Sequence, residues 1–285
     1  MGRSPVWIDS HCHLDAEEFD PDRDQVVERA RAAGVDMMLV PAVEAATFER
    51  VSAVAHQFGF GYALGIHPLY VSHAGESDLD QLAEAVRMAQ VDPNFVGIGE
   101  IGLDFAEGAP DVEQQEHFYQ AQLRLARSWS LPVVLHVRRS ADRLLKYLRR
   151  IDVPGGIAHA YNGSEQQARE FIACGFRLGF GGSATFNGSL RIRRHAAEVP
   201  ETAIVVETDA PDIAPQWLHG QAGPPRQAGG QAGGPGRRRN EPGELPRIAA
   251  VIAQLRSIPA EQLAQLNRRN VLDAFPRLAA VSPRR

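Results

Sequence analysis

Apolar residues fall along this chain in short runs separated by longer stretches of helical spacing. The runs lie at 6–11 (VWIDSH), 36–43 (DMMLVPAV), 61–67 (GYALGIH) and 95–102 (FVGIGEIG), and continue at 131–137 (LPVVLHV), 155–161 (GGIAHAY), 176–182 (FRLGFGG) and 203–210 (AIVVETDA). Several lack polar alternation, as expected of strands covered on both faces of a parallel sheet. Between them, Asp20-Pro21 predicts a helix N-terminus and Gly34 its end. After Asp111, the residues Phe118, Ala121, Leu125 and Trp129 mark one helical face, and Leu245, Ile248, Ala249, Ile252 and Leu255 mark another. Eight strands, each followed by a helix, predict an α/β TIM barrel forming one domain over 1–285. A doubly wound open sheet is the alternative, because a sequence does not display closure. No GxGxxG or GxxxxGK[ST] loop is present to place a nucleotide at a switch point.

The stretch 220–236 breaks the rhythm, with ten of seventeen residues Gly or Pro. It predicts a flexible insertion followed by the basic run Arg237-Arg238-Arg239. Its place after the eighth strand is the active-site side of a barrel, so it could be a lid or a passive linker.

Composition narrows the class. The 285 residues, 44% hydrophobic and 23% charged, are those of an ordinary globular protein. The net charge of −5 supplies no global field for a polyanion, so an anionic substrate must be met by local cations or metal ions. Two cysteines, Cys12 and Cys174, form no CxxC pair, and no signal-peptide or membrane-length apolar run is present. These features predict a cytoplasmic protein with free thiols, Cys12 being a small buried residue.

The chemistry gathers at the ends of the predicted strands. His11 and His13 are two apart, so a strand projects both to one side. Strand four ends at Glu100, strand five at His136, strand six at His159 and strand eight at Asp209. Six N/O donors on one barrel rim exceed what a single tetrahedral zinc needs and fit two divalent ions bridged by Glu100. Imidazole suits Zn²⁺, whereas mixed carboxylate sites also accept Mg²⁺ or Mn²⁺.

In order, the motifs DSHCHLD, GIHP, GEIGLDF, LPVVLHVRR, HAYNGS, ETDAPD and RNEP resemble the TatD family of metal-dependent hydrolases, described as deoxyribonucleases, in the amidohydrolase superfamily. The Gly-Gly after strand seven and ETDAPDI resemble its YjjV-like branch. The resemblance implies a TIM barrel, a two-metal centre and hydrolysis of phosphodiesters at DNA ends; the sequence itself gives no sign of a membrane or an obligate protein partner. It implies that His11 and His13 hold one metal, His136 and His159 the other, and that Glu100 bridges them. Asp209 would bind the first metal and take the proton of the attacking water. His67 could contact the scissile phosphate or be held by a turn. Arg138 shares the side of His136 and could pair a phosphate, while alternation turns Arg139 away. Glu207 shares the face of Asp209 and could orient a ligand, help hold a third ion, or bond within the barrel. Asp104 could cap a loop or touch the site, and RNEP could belong to the site or merely start a helix. The 220–236 stretch is the main departure from the family pattern. Alternatives to a 3′-5′ deoxyribonuclease are a metal-dependent ester or amide hydrolase, such as one removing misplaced amino acids from tRNA, and a metal-binding interaction protein without catalysis.

Overall fold

The computed structural model describes residues 5–219 and 239–282. The insertion expected at 220–236, with Arg237 and Arg238, lies outside the described residues. All eight expected strands form: β1 (Trp7–Asp9), β2 (Val35–Pro41), β3 (Gly61–Leu64), β4 (Phe95–Asp104), β5 (Val133–Arg138), β6 (Gly156–Ala158), β7 (Phe176–Phe180) and β8 (Ile204–Val206). They pair in parallel in chain order, β1 to β8. Between them lie α1 (Arg23–Ala32), α2 (Phe48–Phe58), α3 (Glu76–Ala89), α4 (Val112–Ser128), α5 (Ala141–Leu148), α6 (Glu165–Ala173) and α7 (Leu190–Glu198), and α8 (Leu245–Arg256) and α9 (Ala260–Ala274) follow β8. The strand residues are almost all buried, because the barrel lumen covers one face and the helices cover the other.

Among the described residues no ladder joins β8 to β1, and the barrel is nearly closed. The seam is spanned by isolated bonds and by a side chain. Ser10 N donates to the Val206 carbonyl (3.3 Å). The buried Asn267 amide of α9 accepts from Val206 N (2.9 Å) and donates to the Ile8 carbonyl (2.7 Å), standing in for two ladder bonds.

Two helix expectations need correction. Helix α1 begins at Arg23 after Asp22, two residues later than Asp20-Pro21 suggests. The Asp20 carboxylate is drawn instead to the guanidiniums of Arg23 and Arg50. Gly34, at φ +97°, does end the segment. In α4, Asp111 caps Glu113 N and Gln114 N, but the buried face is Gln115, Phe118, Tyr119, Gln122, Leu123 and Ala126, while Trp129 is exposed. The face is rotated because two glutamines are buried to satisfy strand-end backbone. Gln115 accepts from Asp104 N (2.8 Å) and donates to its carbonyl (2.9 Å). Gln122 does the same for Ile66 (2.7 and 3.0 Å).

Candidate metal centre

Glu100 sits at the centre because β4 bulges there. Ile98 pairs with Val133 and Ile101 with Leu135, so three steps on β4 match two on β5. Gly99 and Gly102 flank the bulge, both at φ +150°, which favours glycine. A Cβ at Gly102 would stand 2.2 Å from the His136 carbonyl, so β4 approaches β5 more closely than a side chain permits. The strand therefore does not end at Glu100; it continues to Asp104.

The other strand ends differ slightly from expectation. His136 lies inside β5, His159 just beyond β6, and His11 and His13 follow β1. Asp209 lies three residues past β8, in the left-handed region at φ +56°. That conformation is locked from several sides. Asp209 N donates to the His11 carbonyl (2.9 Å). The neighbouring Thr208 is gripped by the Asp9 carboxyl through its N–H (3.0 Å) and hydroxyl (2.5 Å). Asn240, from RNEP, donates to the carbonyls of Thr208 and Asp212 (both 2.8 Å). Arg239 meets Asp22 (2.8 Å) and Glu241 (3.0 Å) and covers the Phe19 ring. RNEP thus buttresses the loop that carries Asp209.

The six expected ligands converge. Glu100 Oε2 lies 3.2 Å from His11 Nε2 and 3.4 Å from His13 Nε2. Asp209 Oδ1 lies 3.3 and 3.6 Å from the same two nitrogens. Glu100 Oε1 lies 2.9 Å from His136 Nδ1 and 3.0 Å from His159 Nε2. His67 joins them, its Nε2 3.4 Å from Glu100 Oε1. Arg138 is half-exposed, and its Nη1 lies 3.6 Å from Asp104 Oδ2. The same Asp104 oxygen is 3.0 Å from His136 Nε2. Asp104 also accepts from Ala106 N (2.8 Å), so it both caps the loop and orients a site histidine. Glu207 is buried, accepts from Ala160 N (2.6 Å) and lies 3.6 Å from His159 Nδ1. Cys12 is buried, as expected.

The donor set suits divalent cations. Imidazole nitrogens face each other twice, His11 against His13 at 3.1 Å and His159 against His136 at 3.4 Å. Three groups of donor atoms within 4.8 Å form: His11, Glu100 and His159; His11, His13 and Asp209; His67, Glu100 and His136. Burial, with His159 alongside, pushes His11 well below the usual histidine range, leaving the neutral form that binds a metal. Burial opposes ionisation of Glu100, yet the imidazoles of His159, His67 and His11 outweigh it and hold the carboxyl well below its usual range. Burial raises Asp209 to about 7 and Asp9 to about 8. It lowers His67 to about 4 despite Glu100. The residues overlooked by sequence reasoning are Asp9, Gln115, Gln122 and Asn267; Asp9, two before His11 in DSHCH, carried the one readable signal.

A parallel barrel with such a cluster on its C-terminal rim defines a metal-dependent hydrolase. The chain belongs to the TatD-related DNase family, whose model matches residues 8–276. It is 37% identical over 273 residues to YjjV of Escherichia coli K12, an uncharacterized metal-dependent hydrolase, covering 94% of this chain and 97% of that one. The crystal structure of that relative superposes with a TM-score of 0.84 at 35% identity, over 95% of this chain and 98% of the other. A 3′-5′ ssDNA/RNA exonuclease TatD of Cronobacter turicensis is 36% identical over 251 residues, 87% of this chain and 89% of its own. No helix among the described residues is long and apolar enough to cross a membrane.

Proposed function

We propose that this protein hydrolyses phosphodiester bonds at the ends of single-stranded DNA, with two divalent cations, Zn²⁺, Mg²⁺ or Mn²⁺, as cofactors. The observation that carries the reading is the division of labour within Glu100: one carboxylate oxygen faces His11 and His13, the other His136 and His159. His11, His13 and Asp209 would hold one cation and His136 and His159 the other. Cations bound there supply Lewis acidity toward a phosphoryl oxygen and toward water. The relative named as a 3′-5′ ssDNA/RNA exonuclease supports nucleic acid as the substrate class.

The chain's own groups do the rest. Asp209, beside the His11–His13 pair, would accept a proton from the attacking water and return it to the departing deoxyribose oxygen. Its left-handed backbone and the Asp9–Thr208–Asn240 clamp hold it in that position. His67, neutral at physiological pH, offers a ring nitrogen to a non-bridging oxygen. Arg138 pairs another and spreads the charge that develops there. Two free cysteines suit a reducing compartment, and we place the protein in the cytoplasm.

The test is turnover of a 3′-labelled oligonucleotide by the metal-loaded protein, beside bis(4-nitrophenyl) phosphate and an aminoacyl ester. Asp209→Asn should lower nucleic-acid hydrolysis by about 10²–10⁴-fold while the strand still binds. Wild-type turnover by that variant would remove Asp209 from proton transfer. Hydrolysis of the aminoacyl ester without cleavage of either phosphodiester would replace the nuclease reading with the deacylase one.

A further inference from the structure

The centre opens into a cleft of about 2880 Å³, larger than the ~300–1,000 Å³ that encloses a single small ligand. The two walls of this cleft differ in charge. On the β5–β7 side it is lined by Arg138, Arg139, Arg143, Lys146 and Arg191 with one acid, Asp142, and Arg143 is paired with Glu116 behind the lining (3.0 Å). This wall starts at the centre itself, since Arg138 and His136 share the Asp104 carboxylate. Arg139, which strand alternation would turn away, lies one residue past β5 with a left-handed backbone at φ +57°, so alternation does not apply and it lines the cleft, exposed. Asn162, three residues after His159, accepts from Arg191 (3.0 Å) and holds it over the loop beyond β6. Half-buried Phe105 and Phe186 also line the cleft, beyond β4 and β7.

The opposite wall, beyond β1, β2 and β8, carries Glu17, Glu18, Glu44 and Asp212. Among the described residues its arginines are engaged by acids: Arg29 by Asp22 and Glu241, Arg50 by Asp20, and Arg239 by Asp22 and Glu241. A polyanion is repelled there and attracted on the other side.

We propose that the β5–β7 wall is a one-sided track for single-stranded nucleic acid, its cations taking phosphates beyond the scissile one and Phe105 and Phe186 stacking bases. The track rests on the nuclease reading above and adds direction to it. The strand leaves the centre along one wall only, which confines reaction to a strand end. The overall charge of −5 makes the attraction local, so it depends on these few side chains.

The experiment compares affinities by fluorescence anisotropy, using metal-loaded protein and phosphorothioate oligothymidylates of twelve and three nucleotides. Combining Arg139→Gln, Lys146→Gln and Arg191→Gln should weaken the twelve-mer by about tenfold or more at low salt. It should flatten the plot of log affinity against log salt by about 2, near 0.7 per lost phosphate contact. The three-mer should weaken by much less, and elemental analysis should show unchanged metal content. Equal losses for both lengths, or an unchanged twelve-mer, overturn the track. Neutralising the other wall with Glu17→Gln plus Glu44→Gln should leave or tighten twelve-mer binding; a loss there shows that the strand crosses both walls and overturns the one-sided path. If wild-type protein cleaves bis(4-nitrophenyl) phosphate yet neither binds the phosphorothioate twelve-mer nor cuts its unmodified counterpart, the nucleic-acid reading fails together with the track. If it cuts an unmodified twelve-mer and the triple variant binds the phosphorothioate as wild type, only the track fails.

Discussion

At the N-terminal end of the barrel, His56 Nε2 meets Asp92 Oδ2 at 2.8 Å and the Tyr62 hydroxyl donates to the same oxygen at 2.7 Å. Asn94 N takes the other Asp92 oxygen (2.9 Å), and Arg277 donates to the Asp92 carbonyl (2.9 Å). At the C-terminal end, five imidazoles lie within 3.4 Å of the Glu100 carboxylate. Both ends use histidine and carboxylate. In the first the groups are matched as donors and acceptors, and the cluster is complete as it stands. In the second, ring nitrogens outnumber the oxygens they face and confront one another, an arrangement that a cation completes. Stoichiometry, more than residue type, separates a structural cluster from a ligand site.

The largest expected effect tests the crowded end. Glu100→Gln keeps the shape but removes the charge that both imidazole sets share. Metal content after loading should fall from about two ions per chain to fewer than one, and hydrolysis by about 10³-fold or more. Elemental analysis and turnover measure both. Full metal occupancy in this variant would show that the imidazoles suffice without the shared carboxylate.

A smaller effect comes from protons. Burial opposes charge on His13, but the hydrogen bond and charge of Glu100 raise it to about 9, and burial raises Asp209 to about 7. Cations must displace these protons, so apparent metal affinity should climb with pH, by roughly tenfold per unit between about 7 and 9. Calorimetry in buffers of different ionisation enthalpy would detect the released proton. At the matched end the shift is downward, although its contribution also grows with pH. Burial would raise Asp92, yet bonds from Tyr62, Asn94 N and His56 hold it below its usual value. Its stabilising contribution is therefore present above the ordinary aspartate range near 4 and is lost as pH falls through the lowered folded value.

The smallest effect should follow Asp92→Asn. Removing charge-assisted bonds there should cost about 1–2 kcal/mol in denaturant unfolding and leave turnover within twofold. A tenfold loss of turnover would tie the two ends together and dissolve the contrast.

The barrel and the gathering of histidines and acids on its rim were legible because each carries a repeated signal. Apolar runs recur eight times, and His or an acid recurs near their ends. The supports were hidden for a common reason. Gln115, Gln122 and Asn267 are polar residues buried to satisfy backbone groups, whereas hydropathy patterns assign polar side chains to the surface. That misled the face of α4 and concealed how the seam closes. The pairing of aromatic with basic residues escaped too, because Phe105, Lys146 and Phe186 meet only around the cleft.

The seam between β8 and β1 gives the chain an order of assembly. His11 and His13 stand on one side of it and Asp209 on the other, and the amide bridging the neighbouring strands belongs to Asn267, on the last helix. During synthesis most of the candidate donors emerge early, but the Asn267 bridge between the two flanks forms only after α9 has been made and docked. A nascent or truncated chain without α9 therefore carries the candidate donors but lacks this bridge across the seam.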